Sequence, residues 1–334
     1  MSELIFHEDF AEVSKLIKRA RFKALRNLNS ELIGLYTEIG KYISRRVKTE
    51  KWGKSVVAEL ANYLKKNEPD LKGFSDKNLW RMKKFYETYR DLPKLSALVR
   101  EISWTNNLSI ITRCKSEEEK EFYLRLSAKE NLTSRQLDRQ ISAAAFERTI
   151  IGNQKLSAVL RELHPGIENT FKDSYVFEFL DLPETHTERD LQKALIANLK
   201  NFITELGKEF LYFGEEFRLQ VGNTDFYIDL LFFHRDMQCL VAFELKIEKF
   251  KPEFLGKLNF YLEALDRDVK RDNENPSIGI LLCKGKDDTV VEYALARNLS
   301  PAVIADYESK LPDKKLLQAK VEEFSRLLED TENE

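Results

Sequence analysis

The chain has 334 residues, with 54 Lys plus Arg against 56 Asp plus Glu, a net charge of −2. That length suits two ordinary domains, and the charge balance excludes a histone-like or ribosomal-tail-like basic protein. Charged residues at 33% and apolar residues at 43% describe a folded chain rather than a disordered one, and 12 Gly with 8 Pro favour helices over an all-β fold. The charge is unevenly spread. Residues 1–150 hold 30 basic and 21 acidic side chains, net +9, while the remainder holds 24 and 35, net −11. A basic half can displace counterions from a polyanion, and an acidic half cannot do so unaided.

Cys114, Cys239 and Cys283 are too few and too scattered for a disulfide framework or a zinc knuckle, which fits a reducing compartment. The N-terminus MSELIFHEDF has no basic stretch followed by an apolar one, and no apolar run approaches the ~20 residues needed to span a bilayer. A cytoplasmic protein is the simplest expectation. The four histidines, His7, His164, His186 and His234, are isolated from one another, which argues against His-metal chemistry and a His-based triad. Gly34 to Lys41 superficially resembles a phosphate loop, but five residues separate its glycines and Tyr42 follows the lysine, so ordinary helix is expected.

In chain order, residues 8–47 read as a helix with Leu28, Leu32, Tyr36, Ile39 and Ile43 at spacings of three and four. After a break at Trp52-Gly53, a second helix starts with Val56, Val57, Leu60 and Leu64 and ends before Pro69. Ser75 is a candidate N-cap for a third helix over 76–90, with Leu79, Met82, Tyr86 and Tyr89 inward and Arg81, Lys83, Lys84 and Arg90 elsewhere. Two capping boxes follow, Ser116 to Glu119 and Thr133 to Gln136, the second opening a helix through Leu137, Ile141 and Phe146. Helix, short turn, helix is the layout of a helix-turn-helix, with Arg135 and Arg139 near the start of the second helix; any αα corner gives the same pattern.

Residues 150–173 lose periodicity around Gly152, Pro165 and Gly166, so the domain joint is expected there. Beyond it come a helix over 191–206, strands over 210–221 and 225–233 joined by Gly222-Asn223-Thr224, a strand over 239–247 and a helix over 254–265. A strand over 278–283, a helix over 290–296 and a short strand over 302–305 complete a mixed α/β sheet flanked by helices. The tail, 314–334, reads as a closing helix with Leu316, Leu317, Val321, Phe324 and Leu328.

Asp229 lies inside Tyr-Ile-Asp-Leu-Leu-Phe-Phe, and Glu244 and Lys246 lie inside Leu-Val-Ala-Phe-Glu-Leu-Lys-Ile, both apolar strands. Alternation puts Glu244 and Lys246 on one face and Phe243, Leu245 and Ile247 on the other. A charge buried there costs several kcal/mol or more unless it is paired or metal-bound. A structural ion pair from Lys246 to Glu244 or Asp229 is one answer. The apolar flanks, with an Asp 15 residues upstream across a strand turn, favour the other, a metal site. Oxygen ligands without Cys or His suit Mg²⁺ or Mn²⁺.

Asp229…Glu244-x-Lys246 on neighbouring strands resembles the PD-(D/E)XK nuclease superfamily, with its restriction-endonuclease-like fold. The chain resembles in particular the YhcG-like branch of bacterial proteins. Residues 171–182, 188–195, 226–235, 243–253 and 256–262 carry the likeness in the second half. Trp52-Gly53, Gly73 to Leu79 and Ile102 to Trp104 carry it in the first. The resemblance implies an α+β protein of two domains. An all-α basic domain over 1–150 would bind DNA or a partner, a nuclease domain over 170–310 would have an α-β-β-β-α-β core, and 311–334 would form a C-terminal helix and tail.

It also implies site roles. Asp229, Glu244 and the carbonyl of Leu245 match the metal ligands, and Lys246 matches the lysine that orients and helps activate the attacking water. Glu188 matches an acidic residue that completes the site through metal-bound water. Lys257 and Tyr261, at i and i+4 on the following helix, match positions that approach the substrate phosphate. Ile228 stands where the superfamily has Pro, Lys257 where relatives often have Gln, and Gln192 near where they carry a second Glu; Gln192 and Lys257 are therefore supporting positions. The expected activity is Mg²⁺- or Mn²⁺-dependent hydrolysis of phosphodiesters in nucleic acid, with DNA the first expectation and nothing in the sequence deciding it against RNA, and with Arg81, Lys83, Lys84, Arg135 and Arg139 as candidate contacts to nucleic acid. The rival expectations are a DNA-binding or adaptor protein that keeps the fold without cutting, an enzyme on another phosphate substrate, and a helical domain used for a homodimer or a protein partner.

Overall fold

The computed structural model describes every residue except Met1, Lys51, Asn153, Glu168, Asn169, Glu184, Asn333 and Glu334; the side chains of 1–12, of several residues between 14 and 26, and of 324–334 lie outside the described part. The chain divides into two compact units, Met1–Ile141 and Ser142–Glu334.

The first unit is helical: α1 (Ser2–Thr49), α2 (Lys54–Asn67), α3 (Asp76–Tyr89), α4 (Ser96–Glu101), α5 (Trp104–Arg113), α6 (Glu117–Glu130) and α7 (Ser134–Ser142). Serine side chains start three of them, with Ser75, Ser103 and Ser116 accepting from the N–H groups of Asn78, Asn106 and Glu119. Helices α4 and α5 are too short to show a periodic stripe, so the sequence pattern passes over them. Tyr36, Ile43, Val57, Leu79 and Met82 form the core between α1, α2 and α3. Phe85 joins the buried set, whereas Leu28, expected inward, is 66% exposed because the buried stretch of α1 begins near Ile33. Gly40 lets α1 pack directly against the backbone of α3, since a Cβ there would lie 2.1 Å from the Met82 carbonyl oxygen. Asn131 turns the chain in the left-handed region after α6. Thr133 and Gln136 then bond reciprocally as a capping box. The helix expected to run through Phe146 stops at Ser142, because Ala144 takes a left-handed φ of 51°.

The second unit contains α8 (Ala145–Ile151), β1 (Lys155–Leu156), α9 (Ala158–Leu163), β2 (Ser174–Val176), α10 (Glu188–Ala197) and α11 (Leu199–Leu206). The chain continues through β3 (Phe210–Val221), β4 (Thr224–His234), β5 (Cys239–Lys249), α12 (Phe254–Asp268), β6 (Ile278–Gly285), α13 (Asp288–Leu295), β7 (Ala302–Glu308) and α14 (Lys314–Glu332). The division falls before α8, earlier than the joint expected over 150–173. The reason is that α8 is tied to the sheet unit: Arg148 bonds Glu205 at 3.2 Å and the Ser174 carbonyl at 2.7 Å, and Glu147 accepts from Gln318 of α14 at 3.1 Å. Glu205 is fully buried, and it also accepts from the Val176 N–H and pairs with Lys172. On α14, Leu316 faces solvent, contrary to expectation, and Phe324 and Leu328 lie outside the described side chains.

Among the described residues the sheet has seven strands in the order β1-β7-β6-β5-β4-β3, with β2 also on β7. β3, β4 and β5 are antiparallel, while β5, β6 and β7 are parallel. One face packs on α10 and α11 through Leu191, Leu195, Phe202 and Leu206. The other packs on α12 and α13 through Leu258, Leu262, Val291 and Leu295. The single helix expected over 191–206 is two, because Asn198 leaves helical geometry at φ −112° and ψ 28°. A Thr187–Asp190 capping box sets the start of α10 at Glu188.

Candidate active site

Strands β4 and β5 pair from Leu230 to His234 and from Cys239 to Phe243, and no further. Asp229 is the next residue of β4 and Glu244 the next of β5, so both carboxylates stand where the two strands part. Asp229 Oδ2 accepts the N–H of Leu245 at 2.7 Å, and the Asp229 side chain thus takes over the ladder bond that the β4 backbone no longer supplies. The Asp229 carbonyl accepts from Gln192 Nε2 of α10 at 2.7 Å.

Glu244 is fully buried. Its Oε1 pairs with Lys246 at 3.0 Å and Lys257 at 2.6 Å, while its Oε2 is buried without a hydrogen-bond partner. Lys246 also bonds Glu188 Oε2 at 3.0 Å and the Leu245 carbonyl at 3.1 Å, with its Nζ 5.5 Å from the centre of the Phe254 ring. Lys257 stands over the ring of the buried Tyr261 at 5.3 Å and is itself half-exposed at its head. Glu188, Gln192, Asp229, Glu244, Leu245, Lys246, Lys257 and Tyr261 therefore converge on one place. Phe254, the first residue of α12, joins them without having been anticipated, because a helical period does not say what the first residue of a helix will touch. Lys246 pairs with Glu244 rather than directly with Asp229.

The candidate nucleic-acid contacts lie in the other unit. Arg81, Lys84 and Arg135 are exposed. Lys83 is bound internally, to Glu87 at 2.7 Å, so its charge is partly spent within α3. Arg139 is half-buried on α7.

Burial drives the site's electrostatics. Burial and the Glu244 charge push the Asp229 carboxyl up to about 6, against the lowering effects of the Leu245 N–H and the two lysines. Burial alone would lower the Lys246 ammonium, but the Glu244 charge and the bonds to Glu188 and Glu244 outweigh it and the net shift is upward. Lys257 is raised in the same way by Glu244, and burial raises Tyr261. Both lysines are thus held in their charged form in the metal-free chain, which suits Lys246 to donate and to stabilise negative charge.

A carboxyl raised on folding binds more protons in the folded chain than in the unfolded one, so stability falls as pH rises from near 3.8 through about 6. Asp229→Asn keeps an acceptor for the Leu245 N–H and removes that charge. In metal-free protein it is expected to raise the melting temperature at pH 8 and to leave it nearly unchanged at pH 4, as measured by thermal melts at both values. An equal shift at both pH values would contradict the charge origin of the effect.

The oxygen set fits a hard divalent cation. Among the described residues no three His, Cys, Asp or Glu side chains form a metal cage, so two carboxylates would need carbonyl or water oxygens beside them. The orphaned Glu244 Oε2 supplies one unused, desolvated donor of the required kind. No helix among the described residues is long and apolar enough to cross a membrane.

Two family profiles match the chain in tandem. Residues 12–148 match the DUF1016 N-terminal domain, and residues 168–322 match the YhcG PDDEXK nuclease domain. The putative nuclease YhcG of Escherichia coli (strain K12) is 30% identical over 354 aligned positions, covering 94% of this chain and 93% of its own length. Among solved structures, a repair endonuclease from Pyrococcus abyssi aligns at 15% identity and a TM-score of 0.27, over 39% of this chain and 50% of that one. EndoMS in its apo form aligns at 16% identity and a TM-score of 0.25, over 39% of this chain and 48% of that one. The chain thus spans about half the length of each of those two structures. A helical domain followed by a PDDEXK nuclease domain, with 30% identity sustained along nearly the full length of both chains, places this protein in the YhcG nuclease family.

Proposed function

We propose that this protein is a Mg²⁺- or Mn²⁺-dependent nuclease that hydrolyses phosphodiester bonds in DNA, with the helical unit supplying affinity for the nucleic acid. The observation that carries this reading is the meeting of Asp229, Glu244 and a cationic Lys246 where β4 and β5 part, with one Glu244 oxygen buried and unpaired. Asp229, Glu244 and the Leu245 carbonyl would hold the ion. When bound, the ion would supply positive charge against the phosphate and lower the pKa of coordinated water.

The chain's own groups do the rest. Glu188 and Glu244 fix the Lys246 ammonium from two sides, and its third donor, spent on the Leu245 carbonyl at 3.1 Å, would pass to a water or a phosphate oxygen if that carbonyl turned to the ion. Donors fixed before the reaction need no reorganisation as charge develops on the phosphate. Lys257, partly exposed beside Glu244, offers a second cation to the same phosphate. The net −11 of residues 151–334 is unfavourable for binding DNA alone, and the net +9 of residues 1–150 offsets it. The three cysteines are buried within the fold, in keeping with a cytoplasmic location.

The reading is tested by a digestion panel in Mg²⁺ containing supercoiled DNA, linear duplex, single-stranded DNA and RNA of the same sequence. Cleavage of DNA is expected, and cleavage of RNA alone would overturn the substrate assignment. The role of the helical unit is tested in the full chain carrying Asp229→Ala to prevent cutting. Charge reversal of Arg81, Lys84 and Arg135 to Glu is expected to weaken binding to a duplex and to reduce the slope of log K against log salt by about 0.9 for each phosphate no longer neutralised. Unchanged affinity and slope in a titration at several NaCl concentrations would assign this unit to a protein partner instead.

A further inference from the structure

The carboxylate of Asp229 owes its position to a local break in the sheet. Side chains normally alternate along a strand. On β4, Ile228 packs toward the α12 side and Leu230 toward the α10 side, with Leu231 back on the α12 side. Alternation therefore slips by one at Asp229. The β3–β4 ladder shows the same break from the other strand. Glu215 pairs with Leu230 and Phe217 with Ile228, and the register passes over Glu216 and Asp229. Glu216 lies in the left-handed region at φ 43°, which a non-glycine residue rarely adopts, and its side chain is exposed.

A strand that breaks its ladder on both sides leaves backbone polar groups to be satisfied elsewhere. Asp229 resolves this in two directions: its side chain takes the Leu245 N–H of β5, and its carbonyl takes the side chain of Gln192. Gln192 is buried and lies one turn after Glu188 on α10. Residues four apart share a helix face, so the same face of α10 holds Lys246 through Glu188 and Asp229 through Gln192.

We propose that Gln192 is a positioning residue: its amide clamps the Asp229 carbonyl at the Glu216 kink and so aims the Asp229 carboxylate across the parting of β4 and β5. Its consequence for metal affinity rests on the nuclease reading above; the clamp itself does not.

The test uses full-length protein and two readouts, hydrogen exchange of the Leu245 amide in metal-free protein and Mn²⁺ affinity by calorimetry. Gln192→Met keeps length and apolar bulk but has no donor. It is expected to speed Leu245 exchange at least ~10-fold while Val241 and Phe243 on the same strand stay protected, since a local hydrogen bond opens without global unfolding. Mn²⁺ affinity is expected to fall ~10–100-fold, the usual loss on removing a group that orients a ligand. Glu216→Val disfavours the left-handed backbone and is expected to reproduce both effects from an exposed site; Glu216→Gly, which tolerates it, is expected to produce neither. If Gln192→Met does not fold, the Glu216 pair decides. Unchanged Leu245 exchange in both Gln192→Met and Glu216→Val would overturn the clamp. Absence of Mn²⁺ binding in the unsubstituted protein would overturn the metal reading instead, with the exchange data still deciding the clamp.

Discussion

Asp229→Ala is expected to abolish detectable cleavage and most Mg²⁺ or Mn²⁺ binding while leaving a folded chain. The substitution removes one of two carboxylates at the parting of β4 and β5 and leaves Glu244 with two lysines on a single oxygen. A site with two cations and one buried acid repels a further divalent ion. Charge stabilisation by such an ion is worth several kcal/mol, and each ~1.4 kcal/mol is tenfold in rate, so the loss should be roughly 10³-fold or more. The fold tolerates the change because the cores on the two faces of the sheet do not include Asp229. Circular dichroism, calorimetric titration and a cleavage assay on one preparation separate these effects. Cleavage at the unsubstituted rate would remove Asp229 from the mechanism.

Lys246→Met is expected to retain metal and DNA binding and to lose cleavage by ~10²–10⁴-fold, the range for a positioned donor or proton-transfer group. Methionine preserves much of the stem that runs past Phe254 and removes only the ammonium. Two outcomes distinguish chemistry from architecture. If Lys246 serves only to neutralise Glu244, the substitution lowers the melting temperature by leaving a buried charge poorly paired, and cleavage survives. If it acts on water or phosphate, cleavage is lost even where added metal restores the melting temperature. Lys257 remains on Glu244 in the variant, which makes the second outcome the expected one.

The elements around the site were legible wherever burial imposed a period. β4 and β5 are continuous apolar runs, so charged residues inside them stood out against the cost of burying charge. The hairpin at Gly222-Asn223 and the serine cap at Ser75 follow from local turn and cap chemistry, which needs no tertiary information. What escaped detection depended on contacts distant in sequence. Helix α8 belongs with the sheet unit through Arg148 and Glu205, 57 residues apart, and no window of sequence contains both. Asn198 breaks the 191–206 helix although its neighbours keep a helical pattern. Leu28 and Leu316 fit an apolar stripe but find nothing to cover them in their own unit, so period alone misplaced them. The Glu216 kink and the Gln192 clamp are backbone events, and neither residue type announces them. The grouping of Glu188 with Lys246, across 58 residues, came from the family resemblance rather than from any spacing in the chain.

Incubation of the purified protein with supercoiled plasmid, in Mg²⁺ and in excess EDTA, bears most directly on the claim that Asp229, Glu244 and Lys246 form a metal-dependent phosphodiesterase centre. The expected result is nicked and linear DNA with Mg²⁺, intact plasmid with EDTA, and intact plasmid in both conditions for Asp229→Ala. Equal cutting in EDTA, or equal cutting by Asp229→Ala in Mg²⁺, would contradict it.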